Sequence, residues 1–260
     1  LRKASRHCYL LESASQTEVW GRYSFLGYEP VMEITCTDGY MKIRHTEVGN
    51  DEGVTKQVAH PGDTLREILK EYKSPVMEEM PPFTGGLVGY FSYDYIKYSE
   101  PKLKLGEHED PDFRDMDLML FDQVIAFDHY RQKVLLITGV MLDDLEKSYQ
   151  KAEKKLQEMA DLIRDGEKEE FPSLKLASEI KPQFPKEKYC GMVEKAKHYI
   201  HEGDIFQVVL SNPMRAKAEG SLFDTYRVLR ATNPSPYMLY FSSDDIERSE
   251  EHTSELQSHV

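Results

Sequence analysis

Three places in this 260-residue sequence hold residue types that could do chemistry. The first is Glu12 with Ser13, which closes the apolar run CYLL. A carboxylate beside an apolar wall suits a ligand with an ammonium group on an apolar body; a strand end meeting water is the plainer alternative. The second is Gln207, in IFQVVLS. Strand alternation puts Phe206, Val208 and Leu210 on one face, and Ile205, Gln207, Val209 and Ser211 on the other. A long amide between β-branched residues needs partners for its donors and acceptor if it is buried; an edge position, satisfied by water, also meets that need. The third is NPSPYM, residues 233–238. Two prolines fix φ around Ser235. That makes a stiff loop, or a preformed wall in which Tyr237 and Met238 offer flat, polarisable contact to an aromatic ligand.

Other chemistries find little support. GGLVGY has neither the GK[ST] of a phosphate loop nor the spacing of a dinucleotide fingerprint, so its glycines read as close strand packing. His198 and His201 flank a helix end, where solvation or capping is the default. Cys8, Cys36 and Cys190 are odd in number and without paired spacing, which argues against zinc and for reduced, buried thiols in a cytoplasm. A net charge of −13 argues against nucleic acid as main partner. No apolar run approaches the roughly 18–20 residues of a membrane span. The opening LRKASRHCYLLES passes from basic residues straight into strand-like sequence, without a signal-peptide pattern.

The elements that must position these residues read as α+β. Strands are expected at HCYLLES, RYSFLG, VMEITCT and YMKIR, with Asp38-Gly39 a tight turn between the last two. Leu65, Ile68 and Leu69 mark a helix face, with Asp63 or Thr64 as N-cap. LMLFDQVIAFDHYRQKVLLITGV reads as two strands around a turn at His129 to Gln132. Leu145, Tyr149, Ala152, Leu156, Met159 and Leu162 share helical spacing. The proline-bearing stretch at residues 168–184 reads as a linker. Tyr189, Val193, Ala196 and Ile200 make another helix face, stopped at Gly203. IFQVVLSNPM is expected as a strand, SLFDTYRVLRAT as a helix capped by Ser221, and NPSPYMLYF as a turn feeding a strand.

Taken together, YLLESASQTEVWGRYSFLG, FTGGLVGYFSYDYIKY, MDLMLFDQVIAFDH, GDIFQVVLSNPM and LFDTYRVLRATNPSPYMLYF resemble, in order, motifs of the anthranilate synthase component I family of chorismate-utilising enzymes. The resemblance runs from about residue 8 to residue 247. It implies a mostly antiparallel N-terminal unit (1–167), interleaved with the beginning of a chorismate-binding α/β sandwich domain (185–247). It implies a carbon–oxygen lyase that converts chorismate and ammonia to anthranilate and pyruvate on the route to tryptophan. Ammonia comes from glutamine on a separate glutamine amidotransferase subunit (component II). Mg²⁺ is the implied cofactor: a hard cation that bridges carboxylates. A general acid is needed where the ring hydroxyl leaves. By motif match, Gln207 lines the active site. The tryptophan inhibitor site draws on Leu11, Glu12 and Ser13 together with Asn233, Pro234, Pro236, Tyr237 and Met238, with Ser24 as a further contributor. Glu12 then meets the amino group, and Tyr237 and Met238 flank the indole. The family's metal ligands are expected beyond the matched stretch.

Two departures stand out. Asn212-Pro213 follows Ser211 where Gln is usual, which bears on how that strand ends. After Glu247 the resemblance stops, and RSEEHTSELQSH is what one frame of a widely used sequencing-library adapter encodes. Residues 248–260 are therefore expected to be translated adapter. Two other readings remain open on the sequence: aminodeoxychorismate synthase component I, on the folate branch, and a tryptophan-binding module without chemistry.

Overall fold

The computed structural model describes residues 1–13, 21–46, 53–100, 102–103, 113–168 and 170–252. It divides into two compact units: residues 1–170 with 226–260, and residues 171–225.

The first unit carries two antiparallel sheets. In chain order its elements are β1 (Cys8–Glu12), β2 (Tyr23–Tyr28), β3 (Met32–Thr37), β4 (Tyr40–His45), β5 (Val54–Gln57), α1 (Pro61–Glu71), β6 (Gly86–Phe91), β7 (Met116–Phe121), β8 (Gln123–Asp128), β9 (Lys133–Thr138) and α2 (Leu145–Asp165). The second unit adds β10 (Lys175–Leu176), β11 (Lys181–Pro182), α3 (Lys186–His201), β12 (Met214–Arg215) and β13 (Ala218–Glu219). Then α4 (Phe223–Thr232) leads into β14 (Tyr237–Ser242) and β15 (Glu247–His252), which complete the first unit. The six-stranded sheet runs β15-β14-β1-β2-β8-β9 and the five-stranded sheet β5-β4-β3-β7-β6. These are the α+β class and the antiparallel sheets that the sequence suggests.

Local chemistry explains several elements. The β3–β4 hairpin closes on Asp38 and Gly39 at φ 49° and 79°, both in the left-handed region that Asp-Gly turns require. At Gly89 in β6, a Cβ would sit against the Asp117 carbonyl of β7, so the glycine permits the strand approach. Asp144 caps α2, its side chain accepting from the Lys147 N–H, and Ala152 and Met159 are the buried face of that helix. Helix α1 starts three or four residues earlier than the Asp63 or Thr64 cap would place it: Pro61 takes the first turn, where its missing N–H costs nothing.

Two side-chain layers follow. Met32, Ile34, Cys36, Met41, Met116, Leu118 and Leu120 meet Leu65 and Ile68 of α1 on one face of the five-stranded sheet. On its other face Met119 and Phe121 pack with Tyr9 and Phe241 of the six-stranded sheet. Beside that apolar layer lies a cavity of about 280 Å³ lined mainly by polar residues. Here His7 Nε2 stands 3.0 Å from Glu33 Oε1, Arg44 reaches Glu33 Oε2 at 2.5 Å, and Arg114 reaches Asp117 at 2.8 Å.

Three expectations are corrected. No strand forms at IFQVVLSN: residues 205–213 carry no ladder, and only Met214–Arg215 pairs, with β11. A strand needs a hydrogen-bonded neighbour, and none lies beside this segment among the described residues. The 168–184 stretch is more than a connection, because Lys175–Leu176 and Lys181–Pro182 form short ladders with β13 and β12. Cys190 is exposed, whereas Cys8 and Cys36 are buried. Of the sequence from Arg248 onward, the first residues continue β15 against β14 as the sheet's outermost strand. Ladder bonds are backbone chemistry, and an edge strand asks little of its side chains.

Candidate functional site

The site grows from the pairing of β1 with β14. Their register sets Glu12 opposite Met238 and Leu11 opposite Leu239. Sequence segments from the two ends of the chain therefore become neighbours on one sheet. Next along the same row comes Ser24 of β2, one step beyond the Leu11–Phe25 pair. Ser24 is buried, and its hydroxyl lies 2.7 Å from His129 Nε2.

Alternation then divides the expected residues. Glu12 and Met238 share the sheet face under α4. Leu11 points the other way, into the cluster that also holds Tyr9, Phe25, Leu239 and Phe241. Tyr237, next to Met238, takes the opposite side of its strand from Met238 and is 59% exposed, whereas Met238 is 2% exposed. The eight residues therefore do not form one continuous wall. They do converge at one place: Glu12 is the last residue of β1 and Tyr237 the first of β14, so the end of this ladder is where both faces can be reached.

The turn before β14 is held by its own bonds. The Asn233 N–H donates to Leu229 O at 2.8 Å, which closes α4. Ser235 is buried, and its hydroxyl accepts from the Tyr237 N–H at 3.2 Å. Asn233, Pro234 and Pro236 are exposed around it.

Two residues at this site escape a reading by motif. Tyr226 of α4 donates its hydroxyl to Glu12 Oε1 at 2.5 Å, across 214 positions of sequence. Arg230 Nε stands 2.8 Å from the same oxygen, with the Glu12 side chain 10% exposed and that of Arg230 47% exposed. Burial and the hydrogen bond to Glu12 push the Tyr226 hydroxyl well above its ordinary range, so it acts only as a donor. The ring also packs against Tyr240 of β14, with centroids 5.9 Å apart. The sequence signal was available in the i, i+4 spacing of Tyr226 and Arg230, which puts a long phenol and a guanidinium on one helix face.

Gln207 lies in the second unit, exposed, within the segment that forms no strand. Its neighbours Phe206 and Val209 are 96% and 83% exposed. Among the described residues no group of three or more His, Cys, Asp or Glu side chains could hold a metal ion. The described residues do not make a Mg²⁺ site.

Comparison with known proteins bears on what this arrangement serves. The family model described as chorismate binding enzyme matches residues 6–249. The chain belongs to that family. Anthranilate synthase component 1 of Acinetobacter calcoaceticus is 35% identical over 238 residues, which are 88% of this chain and 46% of that protein. Aminodeoxychorismate synthase component 1 of Bacillus subtilis is 33% identical over 258 residues, 95% of this chain and 50% of that protein. The crystal structure of anthranilate synthase component I from Streptococcus pneumoniae superposes with a TM-score of 0.67 at 32% identity, covering 87% of this chain and 48% of that one. Anthranilate synthase component 1 and its plant alpha subunits recur among the relatives, with aminodeoxychorismate synthase beside them. The chain spans about half the length of the relatives it matches. No helix among the described residues is long and apolar enough to cross a membrane.

Proposed function

We propose that this chain is part of the catalytic subunit of an anthranilate synthase and supplies its tryptophan-responsive regulatory site. The whole enzyme converts chorismate and ammonia to anthranilate and pyruvate with Mg²⁺, in the cytoplasm. A glutamine amidotransferase subunit delivers the ammonia, and L-tryptophan inhibits. One observation carries the regulatory part: the β1–β14 register sets the Glu12 carboxylate beside the Asn233–Met238 turn. The ammonium group of tryptophan meets Glu12, and its indole lies at the end of the ladder against the prolines and Tyr237. Gln207 belongs to the chorismate side of the enzyme, where a residue that cannot act as a base suits a site that takes up ammonia.

The test is ligand-dependent thermal stability. A ligand that binds only the folded state raises Tm. L-tryptophan is expected to raise the Tm of the unaltered chain and to leave Glu12→Gln unmoved, because losing a charge-assisted hydrogen bond weakens binding by roughly 10- to 100-fold. An equal rise in both proteins removes Glu12 from the site. Incubated with chorismate and ammonium salt, the chain as it stands is expected to release no anthranilate; blue anthranilate fluorescence would contradict this.

Aminodeoxychorismate synthase component I is the second reading, favoured by the Bacillus subtilis relative at 33% identity.

A further inference from the structure

We propose that Glu12 and Arg230 form a clamp for a zwitterion, with Arg230 receiving the carboxylate of the same α-amino acid whose ammonium group Glu12 receives. The inference rests on the tryptophan reading above and assigns the other half of the ligand's polar recognition.

The geometry points there because this ion pair is only half used. Glu12 Oε1 takes both the Tyr226 hydroxyl and Arg230 Nε. Among the described residues Oε2 of Glu12 and the two terminal nitrogens of Arg230 have no further partner. An α-amino acid carries its two charges on one carbon, so it needs an acceptor and a donor side by side. A carboxylate oxygen and a planar guanidinium fork in direct contact provide that, and the fork suits a carboxylate in bidentate fashion.

The two partners also differ in freedom in a useful way. Glu12 is nearly buried and pinned by Tyr226, so it is a fixed anchor. Arg230 is half exposed and reachable from solvent. It stands in the last turn of α4, which the Asn233 N–H closes at Leu229 O. Hence the arm that would hold the carboxylate and the turn that would hold the side chain are one continuous piece of backbone. The competing explanation is structural: a cation in the last turn of a helix stabilises the helix dipole, and Arg230 would then serve only the fold and Glu12.

Calorimetry with two probes separates these. L-tryptophan and tryptamine share the indole and the ammonium group, but tryptamine lacks the carboxylate. The unaltered chain is expected to prefer L-tryptophan by about tenfold or more. Arg230→Gln is expected to lose that preference, with tryptophan weakened about tenfold and tryptamine changed by no more than about twofold. Arg230→Lys keeps the charge without the fork and is expected to restore part of the preference; it also decides the matter if the Gln variant does not fold by circular dichroism. Equal weakening of both probes in Arg230→Gln assigns Arg230 to the fold and overturns the clamp. So does tryptophan binding that the substitution leaves unchanged. If the unaltered chain binds neither probe, the tryptophan reading itself falls and the clamp with it, which is a different result from binding without discrimination.

Discussion

At the scale of single residues, this protein keeps titratable groups in two very different settings. Glu12 is held by a phenol and a guanidinium from one helix. The polar mouth between the sheets is a network of opposite charges with a pH response of its own. The hydrogen bond to Glu33 raises the pKa of His7. Burial alone would raise Glu33, but hydrogen bonds from His7 and Arg44 outweigh it and hold the carboxyl below its ordinary value. Burial pushes Asp117 up to about 6, with Arg114 opposing and Asp245 adding to the rise. The signs follow from linkage. A raised pKa, as at His7 and Asp117, contributes stability that is present at low pH and lost as pH climbs through the folded value. A lowered one, as at Glu33, contributes above the ordinary carboxylate range and is lost on acidification. The first unit is therefore expected to lose roughly 1 kcal/mol between pH 5.5 and pH 8. Urea melts at pH 5.5 and pH 8 check this, and Asp117→Asn is expected to remove most of the difference; a profile in the variant as steep as in the unaltered chain would assign the effect elsewhere. Glu12, Asn233, Pro234, Pro236, Tyr237 and Met238 could be picked from sequence because their types are unusual for their positions. Tyr226 and Arg230 share a helix face by their i, i+4 spacing, but a tyrosine and an arginine on an amphipathic helix are ordinary, so that spacing does not single them out until the helix is docked.

At the scale of elements, what was legible was what is local. The Asp38-Gly39 turn is readable because positive φ is a property of two residues, and the α2 face because helical periodicity needs no partner. Gly39 sits at φ 79°, and a Cβ there would come within 3.1 Å of the Val58 carbonyl. Gly39→Val is expected to cost about 2 kcal/mol by chemical denaturation. A loss under about 0.5 kcal/mol would mean that the turn relaxes to another type. The failed strand at residues 205–213 shows the opposite case. Its alternation and β-branched content are right, but a ladder is a long-range property, and no neighbour pairs with it among the described residues. The same limit hid the split of the site residues. Alternation was readable strand by strand; which face α4 would cover was not.

At the scale of the whole molecule, the first unit is made from both ends of the sequence, and the second is a loosely packed insertion between them. Helix α3 has no fully buried residue, and Phe206 and Val209 stand in solvent. Limited proteolysis is expected to cut first within residues 205–213, where no backbone ladder protects the chain; mass spectrometry of the earliest fragments reads the position. A first cut within the β3–β4 hairpin would contradict that ranking. The central proposal is that this chain recognises tryptophan through Glu12 at the β1–β14 ladder end. Equilibrium dialysis of labelled L-tryptophan against the unaltered chain and Glu12→Gln tests it most directly. The account predicts saturable retention of tryptophan that Glu12→Gln abolishes. No saturable retention of tryptophan, or retention that Glu12→Gln leaves unchanged, would contradict it.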